Sequence, residues 1–89
     1  MTIIYPDRST STTATVMPKD ATARYQSLAH RKGLWVIFVS GDFAAEGRIS
    51  DVTRPNLFSD TPAPIVTLDN GYGSVTGPVL AGDLISAFI

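Results

Sequence analysis

Cysteine is absent from the 89 residues. That excludes a disulfide framework, a thiol nucleophile and any zinc centre built on thiolates, and it fits a reducing compartment. Histidine occurs once, at His30, too rarely for a histidine-based metal cluster. A basic excess is also missing: 7 Lys and Arg stand against 8 Asp and Glu, a formal charge of −1. Proteins that depend on phosphate contacts usually carry a clear positive excess, so general nucleic-acid binding is disfavoured. No apolar run approaches the roughly 18 residues of a membrane span. The longest, residues 34–39, has six. The first five residues lack the basic start and long apolar stretch of a signal peptide. A cytoplasmic chain with no membrane contact is expected.

What is present is enough for one domain. A chain of this size buries about 60–65% of its unfolded surface, so its core is thin. The hydrophobic share of 44% is globular rather than disordered. Thr2, Ile3, Ile4 and Tyr5 are β-prone and end at Pro6. The Ser/Thr/Ala-rich stretch after them holds almost no bulky apolar residue and does not offset its ordering entropy. Residues 1–17 are therefore read as a flexible arm, with a short strand added to a sheet edge as the alternative, and residues 18–89 as the folded domain.

One helix is expected, over residues 18–32. Pro18 suits a first turn, and Asp20 meets the positive end of the dipole. Ala21, Tyr25, Leu28 and Ala29 form the apolar stripe. Arg24, Gln26, Arg31 and Lys32 fall on the other faces. Gly33 is placed to end the helix in a left-handed conformation. Residues 34–39 then read as a strand covered on both faces, with Ser40, Gly41 and Asp42 as a turn. Residues 43–53 alternate as a second strand, with Gly47 marking a bulge or bend. Residues 54–64 form a long loop holding three prolines and the pair Leu57 and Phe58. Residues 65–68 and 72–76 are strands joined at Asn70 and Gly71, a type I′ hairpin signal. A helical turn over residues 80–83 leads to a last strand, residues 84–89.

A helix and five short strands at this spacing predict a mainly β (α+β) domain: an N-terminal helix followed by a five-stranded SH3/Sm-like antiparallel barrel, closing on itself to hide its edges. Particular residues carry the likeness. Val36 to Gly41 followed by Gly47, Arg48, Ile49, Ser50 and Asp51 resembles the first Sm motif, in which a hydrophobic strand ending in Gly precedes a strand carrying Gly-x-hydrophobic. The two glycines stand one residue further apart than in that motif. Asp83, Leu84, Ile85 and Ser86 lie where Sm-like chains enter their last strand. Over roughly residues 20–88 the chain resembles the Sm-like small-barrel family, most of all the Rof-type inhibitors of the termination factor Rho. The resemblance implies a protein-binding regulator. It departs from that type in its basic helix. It departs from the RNA-binding Sm-like hexamers in having Gly77, Pro78, Val79 and Leu80 where those carry a basic, histidine-containing segment, so their RNA site does not carry over.

No residue set predicts catalysis, a metal or a cofactor. His30 is explained by dipole complementation at a helix end, and Asp42, Glu46 and Asp51 by turns and solvent. No serine sits in a Gly-x-Ser-x-Gly elbow, and the Gly71, Tyr72, Gly73 run opens no helix. Binding is the expectation, through Arg24, Arg31, Lys32, Arg48 and Arg54 if the helix brings them into one basic patch, and through Leu57, Phe58 and Tyr72 as apolar loop contacts. Trp35 is assigned to the core. Three readings follow. The first is a protein-binding inhibitor or regulator of phage, plasmid or bacterial origin. The second is an RNA- or ssDNA-binding Sm-type barrel. The third is a structural subunit of a viral head–tail or tail assembly. A homo-oligomer through barrel edge strands is compatible with each.

Overall fold

The computed structural model describes residues 13–87. They form one mainly β unit with a single helix: β1 (Thr13–Val16), α1 (Ala21–Ala29), β2 (Trp35–Ser40), β3 (Phe43–Thr53), β4 (Ile65–Asp69), β5 (Ser74–Pro78) and β6 (Leu84–Ala87). The six strands make one antiparallel sheet in the order β1-β6-β2-β3-β4-β5. It is an open sheet of six strands with β1 and β5 as its edges, where a closed barrel of five was expected. The sixth strand comes from the stretch read as an arm. Thr13 to Val16 pair with Ala87 to Leu84. Low hydrophobicity did not decide the matter, because β1 is held by backbone bonds and by Met17. That side chain is buried in the core, its N–H donates to Asp83 O at 2.8 Å, and its carbonyl accepts from Gly82 N at 3.0 Å. Residues 1–12 of the arm expected over residues 1–17 lie outside the described residues.

The helix is shorter than its sequence pattern. Asp20 is its N-cap, accepting the Ala23 N–H at 2.9 Å, as a short carboxylate does at a helix start. Pro18 precedes the cap. After Ala29 the chain tightens: Arg31 N donates to Leu28 O and Lys32 N to Ala29 O, at 2.9 and 3.3 Å. Gly33 follows at φ +90°, the expected left-handed stop. Its N–H donates to Ile49 O at 2.8 Å, which locks the helix end onto β3. The buried face is Ala21, Arg24 and Leu28, so the stripe is rotated from its predicted position. Tyr25 is half-buried and Ala29 exposed.

β2 and β3 form a hairpin with Gly41 and Asp42 at its tip, since Ser40 pairs with Phe43. Gly41 has φ +59°, the sign that such a tight loop requires. β3 serves two neighbours, pairing with β2 through Arg48 and with β4 from Arg48 onward. The switch of partner coincides with Gly47, where an added Cβ would lie 3.1 Å from the Asp69 backbone. The register also shifts between Ile49 and Asp51, leaving Ser50 as a bulge. The bend read from Gly47 is therefore made by a close backbone approach and a bulge together. Between β4 and β5, Asn70 Oδ1 accepts from Tyr72 N and Gly73 N. Its own N–H donates to Gly73 O at 3.2 Å. The loop is thus a closed turn of residues 70–73 rather than a two-residue type I′ turn, with the side chain of Asn70 satisfying the extra donors.

The core is Met17, Leu28, Val36, Phe38, Ile49, Val66, Leu68, Val79 and Ile85, drawn from the helix, the strands and the turn before β6. Full burial of each large side chain stabilises by roughly 1.5–3 kcal/mol. β2 is covered on one face. Val36 and Phe38 are buried, whereas Trp35, Ile37 and Val39 are half-buried on the other side, because the helix covers only the inner face of the sheet.

Candidate interaction surfaces

Arg24 leaves the candidate set. Its side chain is 4% exposed. Its Nε donates to Val79 O at 2.9 Å, Nη1 to Pro18 O and Lys19 O at 3.0 and 2.7 Å, and Nη2 to Pro62 O at 2.9 Å. Every partner is a backbone carbonyl, and among the described residues no carboxylate accepts from it. The guanidinium is a clamp that ties the entry to α1, the end of the long loop and the turn before β6. It has no role on a surface.

The remaining cations each have their own surroundings. Arg31 is half-buried and bound to Ser27 O, Ser27 Oγ and Thr15 Oγ1, so it fastens the helix to β1. Lys32 is exposed beyond the helix end. Arg54 lies over the Tyr25 ring, 5.2 Å from its centroid, a cation–π contact that ties the start of the long loop to the helix. Arg48 faces the outer side of the sheet in a polar cleft shared with Trp35, Ser50 and Asp69. Trp35 lies on this outer face and not in the core. Its indole N–H donates to Glu46 Oε2 at 2.6 Å.

The apolar loop residues are presented outward. Leu57 is 63% exposed and Phe58 99%. The backbone beneath them is ordered by local bonds. Asn56 Oδ1 accepts from Phe58 N, Asn56 O from Ser59 N, and Ser59 Oγ from Thr61 N. Tyr72 is also 99% exposed, at the apex of the β4–β5 turn. The two aromatics belong to different loops. Those loops join the five-residue β4 at its two ends, and that strand is about 16 Å long.

A further feature had no sequence signal. Against the β2 to β5 part of the sheet lies a groove of about 240 Å³, lined by Phe38, Phe43, Leu68, Val75, Pro78 and Leu80 among others, with no charged residue on its wall. Its wall draws on β2, β3, β4, β5 and the turn after β5, so only the folded topology assembles it. The exposed Phe43, Val75 and Leu80 form its rim. Asp83 was also missed. It is buried, and its Oδ2 accepts from Leu80 N at 2.8 Å, closing the turn that carries Leu80.

Among the described residues no group of three or more His, Asp or Glu is placed to hold a metal ion. No helix of the described residues is long and apolar enough to cross a membrane. The chain matches no family model, and no curated protein or solved structure is similar enough to match it.

Proposed function

We propose that this chain is a non-enzymatic protein-binding module, a cytoplasmic regulator or inhibitor that docks on a larger machine through the apex of its β3–β4 loop. One observation carries the reading: Leu57 and Phe58 are side by side and exposed on a loop whose backbone is already ordered. Holding two bulky apolar side chains in water is unfavourable. An ordered loop that does so loses little entropy on binding, which suits a hot spot. The Sm-like, Rof-type likeness supports the same reading, with the last strand returning beside β2 to complete a β6-β2-β3-β4-β5 order. RNA binding is less well supported. The deepest cation of the supposed patch is consumed by carbonyls, and Phe58 and Tyr72 belong to loops at opposite ends of β4.

The test is affinity purification of the chain and of its L57D/F58D variant from host lysate, with protein and nucleic acid read out together. A stoichiometric protein partner is expected with the parent and lost with the variant, while the variant's melting temperature stays within a few degrees. Enrichment of RNA without a protein partner, or retention of the partner by the variant, would overturn the proposal.

A further inference from the structure

The apolar groove adjoins β5, a free edge of the sheet, and the hydrogen-bond phase of that edge follows from its neighbour. In an antiparallel pair, residues alternate between those bonded to the partner strand and those turned away from it. Val79 N donates to Pro64 O, and Asn70 N to Gly73 O. The register between them runs from Ile65 opposite Pro78 to Asp69 opposite Ser74. Val75 and Gly77 therefore bond to β4, and Ser74, Thr76 and Pro78 turn their backbone groups outward. β5 carries no charged residue, although charge is the usual protection of an edge strand. An edge of this kind is suited to pairing with another uncharged strand.

The strand is complementary to itself. Its five residues are symmetric about Thr76, with outward-turned groups at the centre and at both ends. Laid antiparallel on a second β5 with full overlap, Thr76 meets its own counterpart and Ser74 meets Pro78. The two Thr76 residues exchange both backbone bonds, and each Ser74 N–H reaches a Pro78 carbonyl. Pro78 has no N–H to return, which leaves the Ser74 carbonyl to water at an exposed strand end. The side chains match as well. Val75 and Gly77 stand opposite Leu68 and Val66 and share the face of those buried residues. The two-fold sets Val75 of each copy against Gly77 of the other. Nothing lies within 4 Å of where a Cβ on Gly77 would be, so the exposed Val75 finds an open seat there. Continued past the strand, the same register brings Tyr72 of one copy toward Leu80 of the other, and both are exposed. Residues 72–80 hold no charge, so no like charges are opposed along this line. A foreign strand would use the same backbone groups, but the match of Val75 with Gly77 and of Tyr72 with Leu80 favours the chain's own copy. We propose that the chain forms an isologous dimer, in which β5 pairs antiparallel with β5 of a second copy about Thr76, joining the two sheets into one and setting their apolar grooves side by side.

Sedimentation of the full chain over a range of concentrations tests this. Twice the mass of the chain is expected at high concentration. Thr76→Pro removes the central N–H, which β4 does not use, so the monomer keeps its fold while dimerisation weakens by about tenfold or more. Thr76→Lys and Thr76→Glu each oppose like charges at the two-fold and are expected to be monomeric. Mixing the two variants in equal amounts restores the dimer, a rescue that misfolded chains could not show, and the amide spectrum of the sheet verifies the fold of each. Four results overturn the proposal: a strict monomer at the highest concentration, which leaves the edge to a foreign strand; species larger than a dimer, as pairing of β5 with β1 of the next copy would give; a dimer unweakened by Thr76→Pro; or charge variants that do not recombine. The L57D/F58D exchange leaves β5 unaltered, so this test and that of the loop apex fail independently.

Discussion

Arg24 brings a fixed positive charge into the interior and meets it with four carbonyl oxygens. Removing the side chain strands those acceptors, the one on Val79 most deeply. Each buried acceptor left unsatisfied costs about 1–3 kcal/mol, less where water can enter. Arg24→Ala is therefore expected to lower unfolding stability by about 2–4 kcal/mol, measured by urea denaturation. Arg24→Lys should recover less than half of that loss, because a single ammonium cannot span acceptors that a planar fork reaches together. Gly47→Ala tests a different limit. Its Cβ would lie 3.1 Å from the Asp69 backbone, where no side chain can yield, and a cost of about 1–3 kcal/mol is expected by the same measurement. The two residues differ in how far they were legible. Gly47 announces itself, since a glycine within an alternating strand signals close approach. Arg24 does not: periodicity counts it as polar and assigns it outward, while the acceptors that draw it inward lie as many as 55 residues away.

At the scale of elements, β1 is the informative case. Met17 N bonds to Asp83 O, so Thr15, two residues back and opposite Ile85, turns its N–H toward β6, and Ala14 turns its own outward. A proline at position 15 removes a ladder bond, whereas one at position 14 meets an open edge. Thr15→Pro is thus expected to destabilise the domain by about 1 kcal/mol or more beyond Ala14→Pro, compared by thermal unfolding. This strand was hidden because its composition is bland. What holds it is the free edge of β6 and one buried methionine, both properties of the assembled sheet. β3 was readable to its end residues, and the Gly33 stop and the β2–β3 hairpin were equally plain, because their signals are local: alternation, a positive φ, a short turn. The helix was drawn too long for the converse reason. Residues 30–32 suit a helix, but bonding of Gly33 to Ile49 pulls the chain into β2 first.

Across the whole molecule, the same few contacts join distant segments. Arg24 connects α1, the β3–β4 loop and the turn before β6, Arg31 connects α1 to β1, and Gly33 connects α1 to β3. No segment among the described residues can leave without breaking a contact of another. Unfolding in urea is accordingly expected to be one cooperative transition, with Trp35 fluorescence and far-ultraviolet circular dichroism giving coincident curves. Two separated transitions would show that the helix and β1 detach from the rest. The candidate surfaces show the boundary of what a linear reading reaches. Exposed aromatics on loops could be named one by one, whereas the groove built from four strands and a turn depended on the order and register in which the strands pair.

The β3–β4 loop has both of its feet on the helix. Arg54 stacks on Tyr25 at one end, and Arg24 holds the Pro62 carbonyl at the other. The residues from Asn56 to Thr61 are all exposed. The span from Asn56 to Thr61 therefore behaves as an exchangeable cassette. Substitutions within it are expected to leave the frame that displays it unchanged, so the span tolerates changes of sequence that the strands on either side of it do not.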